Sequence, residues 1–201
     1  QWMEAVGTEN DEMVIDLVVD SNDDIFVSFL FRGMLSVGQS NIPSGPDAYS
    51  LAIANLSAGA WEWAVGGFGG MGFEPFGGLC LGPMDEVYFT GSFLGEVIME
   101  PHSLSSAGGT DILVTNVLNN GSWGWAYSAG GTGDDWGTDC VVDSGGTLRT
   151  SGTFQETATF GNGTYVVSNG SNDLFIATSG EDGNWTDVIR AGGSGYETIE
   201  G

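Results

Sequence analysis

Acidic side chains dominate the chemistry this 201-residue chain offers: 27 aspartates and glutamates stand against three arginines, no lysine and one histidine. The densest groups are Asp134, Asp135, Asp139 and Asp143 around one glycine-rich stretch, and Asp20, Asp23 and Asp24 around another. Carboxylates at short spacing are hard oxygen donors of the kind calcium takes. Asp134, Asp135, Asp139 and Asp143 are therefore the candidate metal ligands, and calcium the candidate ion. Their spacing departs from the D-x-[DN]-x-[DN]-G loop with its distal glutamate. Asx turns account for the same residues without a metal.

Catalysis has fewer parts to work with. His102 stands alone, in the loop Met99-Glu-Pro-His-Ser, and reads as a solvated side chain. No Ser-His-Asp or Cys-His set can be assembled beyond that ring, and no histidine–cysteine cluster has zinc spacing. Two carboxylates would suffice for a glycosidase, but among 27 acids some close pair arises by chance. Arg32, Arg149 and Arg190 occupy unrelated positions. No catalytic residue is assigned, and the chain reads as non-enzymatic. Cys80 and Cys140 fall at offsets of opposite parity in their strands, so they point to opposite faces. On that ground they read as buried free thiols acting as small apolar residues, not as a disulfide.

These residues sit in a repeat. Tryptophan pairs recur at Trp61 and Trp63 and at Trp123 and Trp125, with Trp185 matching the first member and Trp2 the second. Three runs end at Phe31, Phe93 and Phe154, spaced by 62 and 61 residues. A third landmark is an aspartate opening an apolar run, at Asp47, Asp111 and Asp173. A period near 60 with three landmarks marks an array, divided as 1–61, 62–123, 124–185 and a partial fourth copy, 186–201. Each copy alternates β-branched and aromatic residues with small or polar ones, punctuated by Ser-Gly-Gly, Asn-Gly and Asp-Gly turns. That is the pattern of two hairpins, four antiparallel strands, with no helix. The residues between Phe154 and Asp173 read as a short strand and loop that extend the third copy, and the tryptophans as filling between neighbouring sheets.

Ala129 to Phe154, AGGTGDDWGTDCVVDSGGTLRTSGTF, resembles the seven-bladed beta-propeller repeat family called SBBP. The family's pattern is a glycine doublet with a following Gly and Asp, an apolar run to Val-Asp-x-x-Gly, and a closing Tyr-Val-Thr-Gly-like strand. Copy two departs from it at Gly82, where Asp20 and Asp143 stand, and copy one keeps only Gly7 of the doublet. The resemblance implies an all-β chain of four-stranded propeller blades, about three plus part of a fourth, in an incomplete ring. It also implies a secreted or cell-surface setting without assigned activity.

Composition narrows the partners. A formal charge of −24 repels nucleic acid phosphates and anionic membranes, and the sequence contains no run of about 18 apolar residues, the length that spans a bilayer. With 41% hydrophobic residues the chain has the means for a packed core. The expected function is a rigid extracellular or surface scaffold that binds a protein or polysaccharide, with the remaining blades of a longer parent as its nearest partners. The alternatives are a fragment of a propeller glycoside hydrolase or lyase, and a structural array of a surface layer or adhesin.

Overall fold

The computed structural model describes residues 6–46, 48–69, 71–161 and 163–199, so Trp2, Asp47 and Asn162, which with Asn55, Asn120, Asn169 and Asn184 opens an Asn-x-Ser/Thr glycosylation sequon, lie outside the described residues. Eighteen strands and no helix are present among those described, and the strands named below all pair antiparallel. The first unit contains β1 (Glu12–Val19), β2 (Ile25–Phe31), β3 (Met34–Val37), β4 (Ser40–Pro43), β5 (Ser50–Ser57) and β6 (Ala60–Gly69). The second contains β7 (Phe73–Leu81), β8 (Val87–Phe93), β9 (Glu96–Met99), β10 (His102–Ser105), β11 (Asp111–Val117) and β12 (Trp123–Ala129). The third contains β13 (Trp136–Val142), β14 (Leu148–Phe154), β15 (Thr157–Thr159), β16 (Tyr165–Val167), β17 (Asp173–Ser179) and β18 (Trp185–Ala191).

Each unit is one four-stranded sheet in chain order, β1-β2-β5-β6, β7-β8-β11-β12 and β13-β14-β17-β18, with a small hairpin inserted between its second and third strands. The extension expected only in the third copy is therefore present in all three. In the first two copies it hides in four-residue strands, MLSV with SNIP and EVIM with HSLS, too short to show a period. These hairpins link neighbours. β9 pairs with the tail of β6 through Phe68–Ile98 and Gly69–Val97, joining six strands into one sheet. Gly130 bridges to Thr159 in the same way, and Gly7 to Ser36.

The sheets stack face to face. β8 and β11 are buried along their whole length, which requires an apolar layer on each side. One layer joins Phe26, Leu30, Leu51 and Ile53 of unit one to Leu79, Phe89, Leu113 and Trp123 of unit two. The next joins Tyr88, Ile112 and Val114 to Leu148, Phe175, Ala177 and Trp185. Phe31, Phe93 and Phe154, the landmark column, are all 0% exposed. The described residues form no closed ring.

Cys80 and Cys140 form a disulfide, with Cα atoms 5.7 Å apart, which overturns the expectation of free thiols. Their parity is as the sequence implied: Cys80 shares its column with Val141, and Cys140 with Leu79. The error lay in applying parity within one sheet. When two sheets stack, the forward face of one meets the backward face of the next, so residues of opposite parity are the ones that meet. Between units one and two the same two columns hold Val18 and Leu79, both in the apolar layer there. The bridge thus replaces an apolar contact with a covalent one.

Cross-linking positions 60 apart removes loop entropy equivalent to about 4 kcal/mol from the unfolded chain. A Cys80→Ser/Cys140→Ser variant is expected to lose up to that amount, read as a lower urea midpoint with a steeper slope, since the freed unfolded chain exposes more surface. An unchanged midpoint would show that stacking alone holds units two and three.

Candidate functional site

The four acids singled out as calcium ligands do not converge. Asp134 and Asp135 precede β13, Asp139 lies within it and Asp143 follows it, so the set is strung along a strand of about 20 Å. Asp143 closes the β13–β14 turn, accepting from the backbone N–H of Gly145 at 2.9 Å and Thr147 at 3.1 Å and pairing with Arg149 at 2.8 Å. Those donors hold its carboxyl at about 2, the Arg149 contact foremost. Asp20 does the same in unit one, accepting from Asn22 N–H and Asp24 N–H. In unit two Gly82 has no side chain, and Glu86 supplies the carboxylate instead, accepting from Met84 N–H at 3.1 Å. Asp139 accepts from Cys140 N–H at 2.7 Å. Among the described residues no group of three His, Cys, Asp or Glu side chains is arranged to hold a metal ion.

Asp135 instead belongs to a buried junction between units two and three. It is 0% exposed and accepts from Gly131 N–H at 2.8 Å and Gln155 N–H at 3.1 Å. Asp111, 3% exposed, accepts from Ala107 N–H at 3.0 Å through Oδ2, while its Oδ1 has no partner among the described residues. Asp134 accepts from Thr110 N–H at 3.0 Å. Asp111 Oδ1 and Asp135 Oδ2 lie 2.7 and 2.9 Å from the point where a Cβ on Gly130 would sit, so the two carboxyls face one another across that glycine. Burial pushes the Asp111 carboxyl up to about 6. Burial pushes Asp135 up to about 7, with the neighbouring Asp111 and Asp134 charges adding to it. Sequence reading missed this junction because its members are 24 residues apart. The signal available was the acid four residues after a backbone N–H that it captures, repeated at Asp111, Asp135, Asp173 and Glu197.

Displaced carboxyl pKa values mark catalytic acids when substrate can reach them. Here both groups are enclosed, so their role is to tie the loop 107–110, the connector 130–135 and the start of the third hairpin into one knot. In unit three the Asp173 carboxylate, 0% exposed, pairs with Arg190. Unit two has Ser128 in that column and no cation beside Asp111. His102, expected in solvent, is partly buried, with Nε2 2.7 Å from the Gly124 carbonyl, and so pins the second hairpin to β12. Arg32 lies 4.3 Å over the Tyr49 ring. Of the sequon asparagines, Asn55 is 5% exposed within β5, while Asn120, Asn169 and Asn184 are exposed in turns.

The tryptophan pair fills two different gaps. Two residues apart on a regular strand they would share a face. A bulge falls between them in units one and two, since Asn55 pairs with Trp63 but Leu56 with Trp61 and the shift recurs after Trp123, and unit three has the same shift between Trp185 and Asp187, which stands in the second column. The first member packs backward: Trp123 Nε1 donates to the Gly66 carbonyl of unit one at 3.0 Å. The second packs forward, under a glycine of the next unit. A Cβ on Gly121 would fall 2.7 Å from Trp63, and one on Gly183 2.5 Å from Trp125. Both glycines also have positive φ, 74° and 77°, so shape and backbone exclude other residues there.

Carboxyls raised on folding stabilise the native state fully below their unfolded value near 3.8, and that contribution is lost as pH rises through about 6 to 7. Asp143 acts oppositely, its contribution falling away only as pH drops toward about 2. The melting temperature is therefore expected to be higher at pH 5 than at pH 8, and Asp135→Asn to flatten that difference. A variant with the full wild-type pH slope would assign the effect to the general charge of −24 instead.

Compared with known proteins, the chain matches no family model and no curated protein.

Proposed function

We propose that this chain is a run of β-propeller blades of the kind it resembles, exported from the cell, and that it serves as a rigid scaffold whose turns recognise a protein or polysaccharide. The observation that carries the reading is the repetition of one inter-unit contact. Forward tryptophan under a glycine, hairpin against the preceding tail and a layer of aliphatic and aromatic side chains recur at the two junctions. Repeat proteins built on nearest-neighbour contacts are stiff and present their loops in register. The disulfide supports an oxidising compartment outside the cytosol.

The two end faces support further units on either side. In one forward-facing column Ile53 is 0% and Val114 1% exposed, while Ile176 is 45% exposed. In one backward-facing column Leu79 is 4% and Cys140 9% exposed, while Leu17 is 55% exposed. Val14 and Val19 extend the backward patch, and Val141 and Ile189 the forward one. These are faces that the array covers wherever a neighbour exists. The acids favour a scaffold over a hydrolase, because Asp20, Asp143 and Glu86 close turns and Asp111, Asp135 and Asp173 tie connections.

The chain on its own is expected to associate head to tail, its forward face on the backward face of the next copy, more strongly as salt screens its net charge. Sedimentation across concentration and salt reads this, with Leu17→Asp and Ile189→Asp each suppressing it. A strictly monomeric chain at all salt concentrations would count against faces built to be covered.

A further inference from the structure

We propose that the cleft between units one and two binds one residue of a neutral sugar, with Asp24 and Asn55 as its hydrogen-bonding pair. This inference rests on the reading of the chain as a recognition scaffold, and names one site on it. The cleft, about 230 Å³, opens among the turns, with Phe26, Trp63, Val87 and Val117 as its apolar wall and Asp20, Asp24, Asp85 and Asn55 among its polar groups. Its volume lies below the roughly 300–1,000 Å³ of sites that engulf drug-sized molecules, which suits a single ring or chain end.

Most of its acids are already committed. Asp20 accepts from Asn22 and Asp24 N–H, and Asp85 accepts from Ser21 N–H at 3.3 Å and Ser21 Oγ at 2.5 Å. The Asp24 carboxylate makes no such bond among the described residues and stands free to accept. Asn55 is 5% exposed and its Nδ2 has no partner among the described residues. A buried amide donor without an acceptor is costly, and it points to a ligand atom that accepts. A free carboxylate beside it calls for one that donates. Hydroxyl groups do both, and the C–H face of a sugar ring suits the aromatic and aliphatic wall. A bare cation would leave Nδ2 unanswered, and the surrounding carboxylates repel uronates, sulfates and phosphates.

The equivalent place between units two and three is closed, which makes the open cleft a departure from the repeat. There Asn116 accepts from Trp125 N–H at 2.8 Å, Trp125 Nε1 donates to the Glu181 carbonyl at 2.9 Å, and Tyr88 replaces Phe26. Asn55 and Trp63, in the same columns, make neither bond among the described residues.

The test is binding of the whole chain to an array of neutral, amino and uronic oligosaccharides, then calorimetry with glucose-, mannose- and galactose-based oligomers, a lysine peptide and calcium. Neutral oligomers are expected to bind. Asp24→Ala and Asp24→Lys should weaken that binding tenfold or more at an unchanged melting temperature, and Asp187→Ala at the far face should leave it unchanged. Neutral-sugar binding that both Asp24 variants retain would overturn the cleft while leaving the scaffold reading intact. Uptake of only the lysine peptide, amino sugars or calcium would overturn it in favour of a cation site. No binding by any probe would overturn the site outright, whereas the scaffold reading falls or stands on the sedimentation behaviour of its end faces.

Discussion

Burial of the central strands on both faces is the constraint the rest of the molecule answers to. A sheet with one apolar face can rest on a single neighbour and leave the other face to water. β8 and β11 leave neither face to water, and unit two is packed between two other sheets. That packing explains why both members of the tryptophan pair are needed. One fills the gap behind, the other the gap ahead, and a single-residue bulge turns a spacing of two into opposite directions. The glycines over Trp63 and Trp125 follow from the same geometry, because nothing larger fits between an indole and the next turn.

The acids are placed by a second constraint, the need to satisfy backbone N–H groups where strands are connected. Turns and connectors leave such donors unpaired by the sheet ladders, and in this chain carboxylates collect them. At the surface the arrangement costs little. At the junction between units two and three it is expensive, since Asp111 and Asp135 are taken out of water side by side with no cation between them. Burial raises both carboxyls, to about 6 and about 7, so that protonation as pH falls below those values relieves the cost. In unit three the Arg190 guanidinium pairs with the buried Asp173 carboxylate instead. Two solutions to one local problem stand one unit apart.

Much of this architecture was legible in the residues. Phenylalanines at 31, 93 and 154 and the strands around them set the period and the sheets, because burial on both faces writes long apolar runs. Of the acids named as candidate calcium ligands, Asp143 closes a turn, the alternative the sequence also offered, whereas Asp135 lies in a buried junction and Asp139 within a strand. The disulfide was not legible, because parity was applied to single sheets while the pairing depends on how sheets stack. The bulge between the tryptophans leaves no mark in a sequence, and the four-residue hairpin strands are below the length at which alternation can be seen. The buried carboxyl pair was hidden for a different reason. Its members, Asp111 at the start of β11 and Asp135 in the connector before β13, are brought together only by the stacking of units two and three.

Repetition gives this chain its shape, but only departures from repetition can give it a particular ligand. In the column that holds Phe26 and Tyr88, unit three has Arg149; in the column of Asn55 and Asn116, it has Thr178; in that of Trp63 and Trp125, it has Asp187. One row of three residues thus runs from an open apolar-walled cleft, through a packed junction, to a polar corner of the exposed forward face carrying an Arg149–Asp143 pair. The backbone pairing of that row hardly changes across the three. The differences lie in side chains whose loss would leave each sheet intact, so they are free to vary with what is bound. A site in such an array is therefore to be sought where a copy breaks the pattern and leaves a buried polar atom unanswered, as Asn55 does.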